Sequence, residues 1–230
     1  MFVRKFTASV AICVVAFGAE TVFGGTIFVT ANANIGQIYL SDQTTLVPTN
    51  GALRVGTFDI SGGNLTTITT SNDFSTVNAL FTPLAEGAAM GGNTNGTAQP
   101  NPGPLLIGNN AEGDGNISGS VENWTNAYQA PGTRIYWWVF NTQDPSNATE
   151  WGIFTRFASG TADWDNPGDG DFDFLTTSPE LLRASGGSAL RGSLTGPTSS
   201  DISLAAIPEP TQILLVLISG MLCLGIRRRR

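Results

Sequence analysis

Arg134-Ile135-Tyr136-Trp137-Trp138-Val139-Phe140-Asn141 is the stretch on which the reading of the fold turns. In an extended chain successive side chains alternate between two faces, so Ile135, Trp137 and Val139 share one side and Tyr136, Trp138 and Phe140 the other. Both sides are apolar. That is the signature of a central strand covered on both faces, not of a strand with one wet side. Trp151, Ile153 and Phe157 follow at even spacing, which places them on one face of a second strand. Between the two runs lies Asp144-Pro145-Ser146-Asn147, residues that favour a turn through a fixed φ and short side-chain hydrogen bonds, so the runs are expected to pair as a hairpin.

Working outward, short apolar runs bounded by Gly, Asn, Asp or Pro suggest further strands at 26–30, 35–40, 52–60, 65–69, 172–176 and 202–205. Ser178-Pro179-Glu180 ahead of Leu181, Leu182 and Arg183 reads as a short helix, with Ser178 as its cap and Pro179 in its first position. No long periodic helix competes. The expected fold class is all-β, a two-sheet sandwich with jelly-roll connection as one option, carrying one short helix and a C-terminal apolar helix. Residues 85–120 are rich in Gly, Asn, Pro and Ala; 105–107 is expected to interrupt them as a strand, because structureless loops of that length are uncommon in a compact domain.

The composition suits this reading. Of 230 residues, 28 are Gly and 12 Pro, while 13% are charged and 41% apolar, which fits many turns around a real core. Between residues 25 and 207 five arginines and no lysine stand against sixteen acids, a formal charge of −11. A domain so acidic repels phosphate backbones, and nucleic acid is not an expected partner.

Both ends differ from this middle. Arg4 and Lys5, the apolar run from Phe6 to Phe17 and the small residues Gly18, Ala19, Gly24 and Gly25 have the layout of a secretory signal over residues 1–25, with cleavage expected between Gly18 and Gly25. Cys13 follows the bulky Ile12, which disfavours lipidation. Residues 26–206 would then form the acidic β domain. At the other end Pro208-Glu209-Pro210 precedes residues 211–226, sixteen without a charge, and then Arg227, Arg228, Arg229 and Arg230. As a helix the uncharged segment would measure about 24 Å at 1.5 Å per residue, short of a hydrocarbon core of about 30 Å. The arginines should stay on the cytoplasmic side.

"IPEPTQILLVLISGMLCLGIRRRR" resembles the PEP-CTERM sorting signal, in which a proline-glutamate-proline motif, a short apolar helix and a basic terminus stand in that order. The resemblance covers residues 207–230. It implies a chain handed by the secretion machinery to an exosortase at the inner membrane of a Gram-negative bacterium, held there transiently by the apolar helix. Cleavage near the tripeptide would then release it to the cell surface or into extracellular polymer. A simple C-terminal anchor is the plainer alternative, though such anchors run nearer 20 apolar residues. The runs "LRVGTFD", "IYWWVFN" and "EWGIFT" are also similar to β-rich proteins that precede this tag, without an activity to carry over.

Catalytic chemistry is narrowed by what is missing. The chain has no histidine, and its two cysteines, Cys13 and Cys223, lie in the terminal segments, so Ser-His-Asp, Cys-His and His-ligated zinc sites are not expected in the domain. No cofactor is expected. Asp169, Asp171 and Asp173 with Glu180 have the spacing of a twelve-residue calcium loop, but Phe174 stands where such a loop needs Gly. The plainer reading is a turn leading into a strand with Phe172 and Phe174 inward. All five Trp lie between Trp124 and Trp164; Trp124 and Trp164, with polar neighbours, are the candidates for stacking on a sugar ring. The expected function is a non-enzymatic structural protein of the cell surface or extracellular matrix. A carbohydrate-binding module that holds extracellular polysaccharide is the alternative, and a carboxylate-dependent glycoside hydrolase the third.

Overall fold

A computed structural model describes residues 25–49, 51–83, 105–106, 113–124, 133–157, 164–165 and 174–208. It is mostly β, with several sheets. In chain order the strands are β1 (Gly25–Ala31), β2 (Ile38–Tyr39), β3 (Ala52–Phe58), β4 (Phe81–Pro83), β5 (Leu105–Leu106), β6 (Ile117–Trp124), β7 (Tyr136–Phe140), β8 (Glu150–Arg156), β9 (Phe174–Thr177), β10 (Gly187–Arg191), β11 (Ile202–Ser203) and β12 (Ala205–Ala206). The helices are α1 (Asn64–Thr70), α2 (Phe74–Asn78) and α3 (Pro179–Arg183).

The hairpin forms as expected. β7 pairs antiparallel with β8, Trp138 opposite Ile153 and Phe140 opposite Trp151, around a 3₁₀ turn at Pro145–Asn147 in which Asp144 accepts from Ser146 N–H. β7 is buried along its whole length and lies inside the largest sheet, ordered β10-β8-β7-β3-β4, with β12 added on β8 and β5 on β3. A three-stranded sheet, β6-β1-β9, and the small pair β11-β2 complete the strands.

The two faces of β7 feed two cores. Ile135, Trp137 and Val139 join Leu53, Val55 and Phe154 of the large sheet and Ile27, Val29, Ile117 and Leu175 of the three-stranded sheet. Tyr136, Trp138 and Phe140 join Phe58, Trp151 and Ile153 beneath Ile68 of α1 and Val77 of α2. The first core is tied across the sheets by a buried chain of hydrogen bonds: Trp137 Nε1 donates to Thr177 Oγ1 at 2.9 Å, and Thr177 Oγ1 donates to the Phe28 carbonyl at 2.7 Å.

Three expectations are corrected. Residues 65–69 form helix α1, not a strand: Leu65 and Ile68 stand three apart, Ile68 is buried, and the hydroxyls of Thr69 and Thr70 donate back to carbonyls one turn earlier. On β9 the buried positions are Leu175 and Thr177, not the phase set by Phe172 and Phe174, because the strand runs parallel to β1 with Leu175 opposite Ile27 and Thr177 opposite Val29. Of residues 35–40 only Ile38–Tyr39 is strand. The capped helix at 179–183 forms as read, Ser178 accepting from Leu181 N–H at 3.3 Å. The expected C-terminal apolar helix lies outside the described residues, among which no helix is long and apolar enough to cross a membrane.

Candidate functional site

The helices over the second core do not cover all of it. α1 packs on β10, and beside that contact a groove of about 470 Å³ opens, floored by Tyr136 and walled by Leu65 and Thr66 of α1, Phe157 beyond β8 and Leu190 of β10. Ile60, just ahead of α1, lines it as well. The described residues include four exposed large apolar side chains, and three of them are here: Ile60 at 43%, Leu65 at 45% and Phe157 at 49%. Scattered single apolar residues on a surface are ordinary; three converging on one concavity are not.

Local chemistry holds the groove open. Asp59 accepts from Ser61 N–H at 3.0 Å and Asn64 Nδ2 at 2.9 Å, setting the turn that leads into α1 and orients Ile60 and Leu65 on one side. Those donors keep the Asp59 carboxyl below the usual carboxylate range. Phe157 N–H donates to the Gly186 carbonyl at 2.6 Å, and the Arg134 guanidinium lies 4.4 Å from the Phe157 ring centre while pairing with Asp165 at 3.2 Å. Next to Gly186, a Cβ on Gly187 would stand 1.5 Å from the Leu182 carbonyl oxygen, so only glycine lets α3 press so closely on β10. Burial raises the Tyr136 phenol above its ordinary pKa, partly opposed by the positive charge of Arg134.

Among the described residues no charged side chain lines the groove. Its hydroxyls come from Thr66, Thr69, Ser188 and the Tyr136 phenol, and that of Thr69 is already spent on helix carbonyls. The arrangement suits an uncharged, mainly apolar guest.

Seven of the described acids serve elsewhere. Asp42, Asp59, Asp73, Asp114, Asp144, Glu150 and Asp201 each accept from a backbone N–H, of a near neighbour or of a distant loop, as Glu150 does from Ser41 at 2.7 Å. The five arginines of the domain are likewise turned to internal work. Arg54 donates to Asn78 Oδ1 at 2.6 Å and sits 4.5 Å from the Phe81 ring; Arg191 donates to Ser71 O and Asn72 Oδ1 and lies 4.8 Å from Trp151. Arg134 and Arg156 both hold backbone carbonyls, and Arg183 donates to Ser199 O. A guanidinium can stack on a ring and fork to carbonyls at once, which lysine cannot, and that explains a domain with arginine alone.

The residues singled out from the sequence are not brought together. Trp164 is a correction: it is fully buried, 5.2 Å from the Trp137 ring, with its carbonyl accepting from Ile135 N–H, so it offers no face to a sugar. Its polar neighbours pointed to the surface, but the bridge between Arg134 and Asp165 draws it inward. Trp124 ends β6 opposite Gly25, and its side chain lies outside what is described. Glu180 is exposed in the first turn of α3, while Asp169, Asp171 and Asp173 lie outside the described residues, among which no three potential ligands gather around a metal position. Pro208 is described and exposed; Glu209, Pro210 and Arg227 to Arg230 lie outside the described residues. The groove itself was missed, because reading 65–69 as a strand separated Leu65 from Ile60 and Phe157. The spacing of Leu65 and Ile68 was the signal that could have revealed it.

Comparison with models of protein families, with curated proteins and with solved structures finds no match to this chain.

Proposed function

We propose that this chain is an exported structural protein of the cell surface or extracellular matrix, sorted and trimmed through Pro208-Glu209-Pro210 and the segment behind it. The observation that carries the reading is where the fold closes. β12 pairs Ala205 with Trp151 and Ala206 with Glu150, and Ile207 N–H donates to the Thr149 carbonyl at 2.8 Å while its side chain packs on the second core. Pro208 is exposed immediately afterwards. Among the described residues the last of these interactions is made one residue before the tripeptide, so a cut beyond Pro208 would leave every interaction described here intact. Two prolines keep the intervening Glu209 out of a helix, as an enzyme that grips extended chain requires.

An exosortase-type enzyme and the secretion machinery are the partners this reading needs. The capping work of the seven described carboxylates supports a structural role over a hydrolase, which would need two acids free to face each other across a bond. In this reading the two sheets that share the first core are the sandwich; the parallel pairs β1-β9 and β2-β11 argue against a jelly roll, whose ladders are antiparallel. The sugar-binding alternative loses Trp164 and keeps Trp124, and calcium keeps its sequence spacing as sole support.

The test is the intact mass of the protein recovered from the surface of its own cells. Loss of residues 211–230 is expected, and Glu209→Ala should leave the uncut chain in the membrane fraction. Arg230 retained on the surface form would overturn the reading.

A further inference from the structure

Three of the four large apolar side chains exposed among the described residues line the groove; the fourth, Phe28 at 44%, stands apart from them. We infer that Phe28 of one copy of this chain seats in the groove of the next, so that copies join head to tail in an open-ended row. The inference rests on the reading of a structural surface protein and says how its copies hold together.

Position is the first argument. Ile27 and Val29 point into the first core, so Phe28 between them points outward from the three-stranded sheet. The groove lies over the second core, on the far face of the large sheet. Knob and hole thus stand at opposite ends of the stack of layers. A contact between two different patches that does not close on itself propagates, whereas two grooves facing each other about a two-fold axis would leave both empty. Both parts are also fixed from one strand. Tyr136 of β7 floors the groove; its neighbour Trp137 donates to Thr177, which donates to the carbonyl of Phe28. Little freedom remains to be lost when they meet.

Chemistry and size are the second. Among the described residues the groove has no charged lining, and the register partners of Phe28, Ser120 and Thr176, are uncharged, as are Thr30 and Ser118 in the next row. Domains of formal charge −11 repel one another, so copies meet best through uncharged patches. An apolar cavity of about 150 Å³ holds a benzene ring. A groove of about 470 Å³ therefore takes the Phe28 ring and leaves room for Thr30 and Thr176 beside it, facing the hydroxyls of Thr66, Ser188 and Tyr136. Area sets the strength. Three strands about 4.8 Å apart and seven residues long give the Phe28 face about 23 Å by 14 Å, roughly 300 Å². Two such faces fall short of the about 1,200–2,000 Å² of a stable pair. Copies therefore stay apart in dilute solution and join where they are crowded, as in a surface layer.

The test is sedimentation velocity on the form recovered from the surface of its own cells, from about 1 μM to about 1 mM, the range of weak interfaces. The average sedimentation coefficient should climb past that of a dimer without a plateau, and climb further in about 1 M salt, which screens charge beyond about 3 Å. Phe28→Asp and Phe157→Asp, both at exposed positions, should each raise the concentration required about thirtyfold or more. Mixed one to one, the two variants should recover a contact that stops at the dimer: one keeps its groove, the other keeps its Phe28, and each pair can join only once. That recovery also shows that both variants are folded. A native chain that stays monomeric at the highest concentration, growth that stops at the dimer, growth that salt dissolves, or a mixture that behaves as either variant alone would overturn the inference. The same preparation separates it from the tag: a trimmed form that stays monomeric refutes the assembly alone, and a form that assembles yet retains Arg230 refutes the trimming alone.

Discussion

The two cores on either side of β7 are built from the same strand by different means. Between the sheets, Trp137 shares one core with Ile27, Val29, Leu53 and Val55, a mainly aliphatic interior with strands of both sheets around it. Beneath α1 and α2, Trp138 meets Phe58, Phe74, Phe81, Phe140 and Trp151, each ring centre within 6 Å of its own. Two short helices are a poor lid for so large an aromatic surface, since five to seven residues bury little on their own. Arginine makes up the difference. Arg54 and Arg191 lie against the rings and fasten the helices through Asn78, Ser71 and Asn72. Burial pushes the Arg54 guanidinium down to about 10, which still leaves it charged at neutral pH. One core is sealed by area, the other by cations, and the second is the one left with a groove.

Truncation of the shared strand should break this comparison most visibly. Trp137→Ala removes a fully buried ring and the donor to Thr177 Oγ1, and is expected to cost about 3–5 kcal/mol, measured as the shift of the urea midpoint. A cost below about 2 kcal/mol would mean that the first core repacks freely and is not the rigid half of the molecule. In the second core Arg191→Ala should cost about 2–3 kcal/mol through the lost ring contact and two charge-assisted hydrogen bonds. Arg191→Lys should recover less than half of it, because an ammonium cannot lie flat on Trp151 while reaching both carbonyls. Hydrogen exchange would add detail: the Arg191 variants should expose α1 and α2 while β1, β7 and β9 stay protected. Equal loosening of both cores would erase the distinction.

Local signals, the β7–β8 hairpin among them, were legible in the sequence, and long-range pairing was not. Residues 134–141 declared both faces in their own pattern, and Ser178-Pro179 declared a helix start because a cap is made by neighbours. The face of β9 was misread because its phase is set by β1, some 150 residues away in the chain, through the pairing of Ile27 with Leu175. α1 was misread because threonine favours strands, yet here its hydroxyls bond back into the helix and tertiary packing of Ile68 decides. β4, β6 and β10 carry too few apolar residues in a row to stand out. For the candidate site, Ile60, Leu65 and Phe157 come from two separated parts of the chain, and exposure is not written in residue type. The tail was the clearest segment of the sequence, and the groove the least.

Acid should test the comparison from outside both cores, and with the smallest effect. Asp42 accepts from the N–H groups of Thr44 and Thr45 and from the Thr45 hydroxyl, which lowers its pKa to about 2; similar donors lower those of Asp59, Asp73 and Asp114. For a carboxyl whose folded pKa lies below its unfolded value, the stabilisation is complete above the unfolded value near 3.9 and is lost as pH falls through the folded one. Urea midpoints should therefore be flat from about pH 7 to pH 5 and decline between about pH 4 and pH 2. Asp42→Asn should blunt the decline, since an amide accepts one of these bonds without titrating. Because Asp73 caps α2 and Asp59 sets the turn into α1, acid should loosen the helical lid before the sheets, seen as early loss of exchange protection at Val77 and Ile68. If β1 and β7 lose protection at the same pH, the two cores are one cooperative unit, and the arginines that fasten the lid hold the whole molecule.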